Sequence, residues 1–300
     1  MNACPAHLDP VSFAFYGRSL KALNDAGVPY LVGGAYAFER YTGIARHTKD
    51  FDIFARPADL DAVFEVLATT GCSTELTFPH WLAKARCGED VVDIIFSSGN
   101  GVAYVDELWF EHAVEETVLG IPVLLMPAEE MIWSKGFIME RERYDGADIA
   151  HILQARADSL DWRRLLLRFG GHWRVLLSHL VLFGFIYPAE RTRIPAWVMQ
   201  ELMRRLARES VSVPVTGATP VCRGPLLSRA QYLVDIEGRG YRDVRLTHES
   251  AMNEDDIQLW TDGIKIDGER PSEGASPGSS LPSPRVRRQG RRSDLRRRAS

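Results

Sequence analysis

The sequence predicts an α/β (α+β) fold, in which a mixed β-sheet with flanking helices is followed by a helical C-terminal domain. In the first 126 residues, short apolar runs such as YLV (30–32), FDIF (51–54) and VVDIIF (91–96) alternate with amphipathic segments. This alternation is typical of strands and helices that build one sheet. After Pro127, amphipathic helical segments follow one another directly, which indicates a separate helical region.

The elements of the first part are predicted from periodicity and from glycine or proline stops. A first helix is expected from Pro10 to about Gly27, because apolar residues recur there at helical spacing. We then expect a strand at 28–32, a helix at 35–43, a strand at 51–55, a helix at 59–71, strands at 81–87 and 91–96 joined by a tight hairpin, a helix at 104–116, and a strand or hairpin arm at 117–126.

The composition along the chain predicts four regions. Residues 1–126 form the catalytic α/β domain, residues 127–208 a helical domain, and residues 209–268 a segment of mixed character. The last region, 269–300, is rich in Ser, Pro, Gly and Arg and is predicted to be a disordered tail. Its final twenty residues carry eight arginines against one aspartate, although the whole chain has a net charge of −4. The remainder is therefore acidic, which argues against nonspecific binding of duplex nucleic acid.

The sequence also bears on cellular location. The longest nearly apolar run, Val175 to Pro188, is shorter than the roughly 18 to 20 residues that a membrane-spanning helix needs. The N-terminus lacks the basic start and apolar core of a secretory signal. The four cysteines are scattered and form no C-x-x-C pair, which is typical of reduced thiols. We therefore expect a cytoplasmic protein that does not associate with membranes.

Two carboxylates stand one residue apart in an apolar strand, TKDFDIF (48–54). Because side chains alternate along a strand, Asp50 and Asp52 are expected on one face and Phe51 and Ile53 on the other. Asp93 is another single acid in an apolar strand, VVDIIF. If the two strands are neighbours, the three carboxylates converge and can hold hard divalent cations such as Mg²⁺. The cations would offset the repulsion among the acids.

Gly33 and Gly34 end one predicted strand and open the next helix. Glycine at this position allows a phosphate to approach the backbone, and a helix N-terminus offers free N–H groups and a positive dipole end. An ordinary strand-to-helix turn is the alternative. An Asp-x-Asp pair by itself also occurs by chance, in turns, and in the metal and sugar-nucleotide sites of glycosyltransferases. That last interpretation leaves the two glycines and Asp93 unexplained.

Taken together, these residues resemble the polymerase-β-type nucleotidyltransferase superfamily. Its signature is an apolar strand, Gly-Gly or Gly-Ser, a helix, an Asp-x-Asp flanked by apolar residues, and a third acid on a later strand. Here the corresponding stretches are YLVGGAYAFERYTGIARHTKDFDIF (30–54) and VVDIIF (91–96). Within the superfamily, the chain looks most like the stand-alone bacterial nucleotidyltransferases related to AbiEii-type toxins. The segment SKGFIMERERYDGADIAHIL (134–153) is similar to their second block.

The resemblance implies transfer of a nucleoside monophosphate from an NTP such as ATP to an acceptor hydroxyl, with release of pyrophosphate. It implies two Mg²⁺ ions held by Asp50, Asp52 and Asp93 and a triphosphate held by Gly33 and Gly34. Two further basic residues are candidate nucleotide contacts: Lys49 and Lys135. Each also has a simpler interpretation, as a surface ion pair or a solvated lysine.

Asp145 and Asp148 are expected to be structural and to orient Lys135 or Arg143 rather than to bind metal. The acceptor stays open among a tRNA end, a protein hydroxyl and a small molecule, and a protein partner is possible. The alternative from another functional class is a noncatalytic nucleotide-binding or antitoxin-like protein that keeps the fold.

Overall fold

The computed structural model describes residues 9–46, 48, 50–211 and 219–268. Its helices are α1 (Pro10–Asp25), α2 (Gly34–Thr42), α3 (Leu60–Thr69), α4 (Glu107–Glu111), α5 (Ala128–Gly136), α6 (Gly146–Arg156), α7 (Trp162–Phe169), α8 (Trp173–Ile186), α9 (Ala196–Ser210), α10 (Leu233–Gly238) and α11 (Glu254–Gly268). Its strands are β1 (Leu31–Val32), β2 (Asp50–Phe54), β3 (Ser73–Phe78), β4 (Leu82–Cys87), β5 (Asp90–Ile95), β6 (Val114–Val118), β7 (Ile121–Leu125), β8 (Val221–Cys222) and β9 (Arg242–Asp243).

Strands β1 to β7 form one mixed sheet in the order β3-β4-β5-β2-β1-β7-β6. Strand β2 lies at its centre, parallel to β5 and antiparallel to β1. Strand β1 is in turn parallel to β7, and two hairpins, β4–β5 and β6–β7, complete the two halves. The α/β prediction of a mixed sheet with flanking helices and a helical region after it is therefore confirmed.

The two faces of β2 have different environments. Phe51 and Ile53 are almost completely buried, and the ring of Phe51 lies 5.1 Å from that of Tyr16 on α1. This face is covered by α1, which also contacts α3. The opposite face carries Asp50, Asp52 and the ring of Phe54. The period-two alternation of β2 thus assigns its apolar residues to the core and its acids to the other side of the sheet.

Two parts of the predicted first domain differ from the structure. The helix expected over 104–116 is wrong beyond α4, because 114–118 form β6. That segment turns back at Leu119 and Gly120, both with positive φ, and Val118 is buried in the hairpin. Strand β3 was not predicted, because it is a largely exposed edge strand of mixed polarity and presents no apolar run.

Residues 127–211 contain helices joined by turns and loops, with one isolated β-bridge between Met139 and Tyr144. Residues 219–268 combine short strands with helices. The buried apolar side chains from Phe15 to Val244 form one continuous cluster. The exact domain boundaries stay predictions, and the tail at 269–300 lies outside the described residues.

Within the described residues, one helical stretch is long and apolar enough to cross a membrane by length and composition. It runs from Trp162 to Ile186, 25 residues that contain an 18-residue window with a mean hydropathy of 1.3, and is thus longer than the apolar run noted in the sequence. A 3-10 turn at Gly170–His172 divides it into α7 and α8. Leu165, Phe169 and Phe183 are fully buried in the core. Such burial is typical of helices that pack inside a protein.

A buried ionic cluster ties the first helix of this region to α7. The carboxylate of Glu130 on α5 is completely buried and accepts hydrogen bonds from Arg164 at 2.6 Å and from Arg168 at 2.9 Å. Arg168 also donates to Asp106, just before α4, at 2.6 Å. Burial raises the pKa of Glu130, and the two guanidinium groups oppose that shift. The cluster therefore joins the helical region to the sheet region through charge-assisted hydrogen bonds.

We expect Glu130→Ala to destabilise the fold, because it removes the buried carboxylate that Arg164 and Arg168 share and leaves each with one carboxylate, Glu129 or Asp106. Removal of one partner from a fully isolated buried pair costs roughly 3–5 kcal/mol, so the loss should be below that figure. The free energy of unfolding in urea measures the effect. Glu201→Ala is the control, since Glu201 pairs with Arg204 and Arg205 at the protein surface, where such pairs contribute about 1 kcal/mol or less. Equal losses in the two variants would contradict this account.

Candidate active site

A cavity with a volume of about 430 Å³ lies against the acidic face of the sheet. Its floor is formed by side chains of β2 and β5 and by the loop that follows β5. One wall comes from α5 and the segment after it, and the other end is closed by residues of the 219–268 segment. Three distant parts of the chain therefore meet at one site, and the volume lies within the range of small-molecule sites.

The three predicted aspartates all line this cavity. Asp50 and Asp52 lie on one face of β2, as their alternation predicts. Strand β5 runs parallel to β2, and Asp93 stands directly beside Asp52 in the register. The two strands are therefore neighbours, as expected, and all three aspartates face one cavity.

The carboxylates repel one another at this site. Burial, followed by the charges of Asp50 and Asp93, raises the pKa of Asp52 to about 7. The charges of Lys135 and Arg143 act in the opposite direction but do not cancel the effect. A nearby cation stabilises the ionised form of a carboxylate that is disfavoured to this extent. The electrostatics of Asp52 are therefore those of a cation-binding position.

Asp93 already has a cation beside it. Its Oδ1 lies 2.6 Å from the Nζ of Lys84 on β4, and the side chains of Asp93 and Lys84 are only 12% and 20% exposed. Asp50 Oδ1 accepts a hydrogen bond from Thr48 Oγ1 at 2.6 Å. In the described part of the chain, no three His, Cys, Asp or Glu side chains are grouped as ligands of a single metal ion. The aspartates are thus neighbours without forming a preassembled triad.

The two glycines have different surroundings. Gly34 is the first residue of α2, has φ of 52° and lines the cavity. A Cβ at Gly34 would lie 1.7 Å from Oδ2 of Asp52. Gly33 donates its N–H to the carbonyl oxygen of Asp52 at 3.0 Å, so this N–H is already used inside the fold. The pair therefore brings α2 close against Asp52, while its predicted contact with phosphate stays a prediction.

A cationic wall faces the aspartates. Lys135, near the end of α5, lies 2.7 Å from Asp145 and 2.9 Å from Asp148. Arg143 lies 3.1 Å from Asp145, and both Lys135 and Arg143 line the cavity. Asp145 and Asp148 thus orient the two cations, as their sequence interpretation proposed.

Arg46 forms an ion pair with Asp148 at 2.5 Å. Lys49, the other predicted nucleotide contact, lies outside the described residues. Its role stays a prediction.

The far end of the cavity contains residues that the sequence did not assign. Trp81 and Trp260 meet edge to face with ring centroids 5.1 Å apart, and the guanidinium of Arg229 lies 4.1 Å from the Trp260 ring centre. Arg229 also lies 3.1 Å from Glu140. Ser97 is 1% exposed, and its hydroxyl has no hydrogen-bond partner among the described residues. This end therefore combines aromatic faces with unsatisfied polar groups.

The C-terminal segment is fastened to the loop after β5. Asn100 donates to the carbonyl oxygen of Leu226 at 2.8 Å, and Ser250 Oγ donates to that of Asn100 at 2.9 Å. Gly99 touches Trp260 so closely that a Cβ would lie 2.5 Å from the indole ring. The sequence at 222–243, a compact mixture of Arg, Tyr and Asp, is as compatible with a surface hairpin or short helix as with a cover for the cleft, so it does not predict this arrangement.

Comparison with solved structures gives distant likenesses. The antibiotic-resistance factor ANT(2'')-Ia is similar over 68% of this chain and 97% of its own, at 16% identity and a TM-score of 0.36. The lincosamide antibiotic adenylyltransferase LnuA covers 48% of this chain and 96% of its own, at 16% identity and a TM-score of 0.35. An antigenic nucleotidyltransferase-like protein from Paracoccidioides brasiliensis is similar over 63% of this chain and 94% of its own, at 16% identity and a TM-score of 0.38.

No family model matches the chain, and no curated protein matches it in sequence. Nucleotidyltransferases thus occur among the structural neighbours, and none of the three named above is an AbiEii-type toxin, so that narrower branch stays a prediction. At these TM-scores the likenesses carry no argument about this site, whose chemistry follows from its own geometry.

We expect Gly34→Ala to destabilise the protein by a few kcal/mol, of order 2–4, because the new methyl group collides with Asp52 and φ is positive. Thermal unfolding measures the loss. Gly43→Ala is the matched control: Gly43 also has positive φ, at 74°, but has open space around it. A loss in Gly34→Ala no larger than in Gly43→Ala would show that the contact with Asp52 is unimportant.

We expect Asp52→Asn to stabilise the metal-free protein strongly at pH 8 and by less than half as much at pH 5, with the effect disappearing only below the unfolded pKa of 3.8. The folded-state pKa of Asp52, about 7, lies above its ordinary value of 3.8, so the native state binds more protons and stability falls as pH rises between these values. A shift of this size corresponds to at most roughly 4 kcal/mol. Unfolding in urea with EDTA at both pH values measures the difference, with Asp25→Asn in an exposed ion pair as control.

Proposed function

We propose that the protein is a divalent-metal-dependent nucleotidyltransferase that moves a nucleoside monophosphate from an NTP to an acceptor hydroxyl. One observation carries the proposal: three aspartates on two parallel neighbouring strands face a cavity whose opposite wall holds Lys135 and Arg143. Phosphoryl transfer depends chiefly on positioning and on charge neutralisation. A site with carboxylates on one side and cations on the other is suited to a metal-bound triphosphate.

The residues present fit a divalent cation at Asp50 and Asp52. Both are oxygen donors on one face of β2, and the raised pKa of Asp52 reflects a negative charge that burial and its neighbours disfavour. When bound, Mg²⁺ would neutralise the triphosphate and align the α-phosphate with the attacking oxygen. We place its ligands on β2, next to the N-terminus of α2.

The cationic wall is proposed to bind the phosphates. Lys135 and Arg143 line the cavity, and their fixed positions against Asp145 lower the entropy lost on binding. The rings and polar groups around Trp81 and Trp260 line the part of the cavity formed with the 219–268 segment, where we propose that the acceptor enters. Because this end is walled by the C-terminal segment and the cavity is small, we propose a small-molecule acceptor.

Asp93 is proposed to orient the acceptor hydroxyl. Lys84 donates a hydrogen bond to Oδ1 of Asp93, and no described residue donates one to its Oδ2. The hydroxyl would donate to that oxygen and lose its proton to it as the new bond to the α-phosphorus forms and pyrophosphate leaves. Burial raises the pKa of Asp93, while Lys84 opposes the shift, so its carboxylate is a better proton acceptor than an exposed one.

The proposed location is the cytoplasm. The three cysteines within the described residues, Cys72, Cys87 and Cys222, are all free thiols. Free thiols are typical of a reducing compartment. Imaging of the tagged full-length chain tests this part of the proposal separately.

The decisive experiment is label transfer. The protein is incubated with Mg²⁺, each α-labelled NTP in turn, and small-molecule hydroxyl acceptors, and products are separated by chromatography and weighed. We expect labelled acceptor and pyrophosphate in equal amounts. Asp52→Ala is expected to reduce transfer by at least a thousandfold, since it removes a central metal ligand. Tight NTP binding without any transfer or Mg²⁺ dependence would favour the noncatalytic alternative.

Lys135→Ala is expected to raise the KM for NTP about tenfold or more while the protein stays folded, because one charge-assisted phosphate contact is lost. Lys21→Ala is the control, since Lys21 is an exposed lysine in a surface pair with Asp25. An unchanged KM in Lys135→Ala would remove Lys135 from the proposed nucleotide site.

A further inference from the structure

The pairing of Lys84 with Asp93 is part of the sheet itself. Strands β4 and β5 are antiparallel, and Lys84 stands directly opposite Asp93 in their register. The ammonium and carboxylate are 2.6 Å apart, and both side chains are mostly buried. The two-residue turn at Gly88 and Glu89 fixes this register, because Cys87 pairs with Asp90. The cation is therefore held at Asp93 by the hairpin.

A lysine in this position conflicts with a second metal ion. A pair of catalytic ions about 3.5–4 Å apart needs carboxylates that bridge both, and Mg²⁺ requires oxygen ligands at about 2.0–2.1 Å. Here Oδ1 of Asp93 is held by an ammonium, so an ion on the free Oδ2 would lie within a few Å of a second positive charge, which repels it. Throughout the ranges that the structure describes, no group of three potential ligands is assembled. The two-ion site that the sequence resemblance implies does not fit these residues.

The charges at the floor of the cavity lead to the same conclusion. Asp50 and Asp52 form no ion pair within the described residues, whereas Asp93 is compensated by Lys84. Lys135, on the opposite wall, is paired with Asp145 and Asp148. Asp50 and Asp52 are thus the two carboxylates of the floor without a direct ion pair among the described residues, which makes them the preferred position for one divalent cation.

We propose that Lys84 replaces one of the two metal ions, so that the protein binds a single divalent cation at Asp50 and Asp52. Lys84 then supplies a permanent positive charge beside the acceptor hydroxyl and keeps Asp93 oriented. This inference rests on the proposed nucleotidyltransferase function and defines the metal content of its site.

Metal counting tests the proposal directly. The full-length protein is titrated with Mn²⁺ in the presence of a saturating nonhydrolysable ATP analogue, and free Mn²⁺ is followed by electron paramagnetic resonance. We expect one bound ion per chain in the wild type and two in Lys84→Met, because Asp93 is then free to bind metal. Lys84→Gln serves as a second variant should Lys84→Met fail to fold, and Lys21→Met should bind one ion like the wild type.

The double variant Lys84→Met/Asp93→Asn tests whether the second ion in Lys84→Met binds at Asp93. It should return the count to one, whereas Asp93→Asn alone should leave the wild-type count unchanged. Two ions in the wild type, or one ion in a folded Lys84→Met, would overturn the proposed role of Lys84. Neither result would contradict the proposed nucleotidyl transfer. Absence of any analogue-dependent Mn²⁺ binding would contradict the proposed function itself, so the two failures are distinguishable.

Discussion

The parallel pairing of β2 with β5 is the constraint on which the site depends. It places Asp52 beside Asp93 in the register and leaves both carboxylates on the face away from α1. The opposite face of β2 buries Phe51 and Ile53 in the main core. A shift of one residue would send the acids into that core and the apolar side chains into the cavity, at a large cost in free energy. Hydrophobic burial on one face therefore fixes the chemistry of the other.

The other walls of the cavity are positioned against this floor by different contacts. Helix α2 approaches the floor closely because Gly34 has no side chain. Lys135 on α5 and Arg143 in the loop before α6 are both held by ion pairs with Asp145. The buried cluster around Glu130 holds the start of α5 against α7. The cations opposite the aspartates are thus positioned by ionic contacts, whereas the aspartates are positioned by the sheet.

Local sequence patterns predicted much of this arrangement. Alternation along β2 predicted the common face of Asp50 and Asp52, and the likeness of the two apolar strands predicted Asp93 as their neighbour. The partner of Asp93 was missed, because the predicted three-residue turn at 88–90 places Lys84 opposite Ile94, whereas the two-residue turn in the structure places it opposite Asp93. Trp260 was not predictable, since its contact with Gly99 joins parts of the chain more than 150 residues apart. The helix expected at 104–116 failed because hairpin pairing overrode its helical pattern.

The segment that closes the far end of the cavity is separate from the strands that carry the acids. It is held to them at Asn100 and by the ring of Trp260 against Phe78 and Trp81, and its Leu226 and Val244 belong to the common core. In evolutionary terms, such a division lets the residues that line the cavity in this segment vary while the strands keep their carboxylates, provided that the shared core is retained.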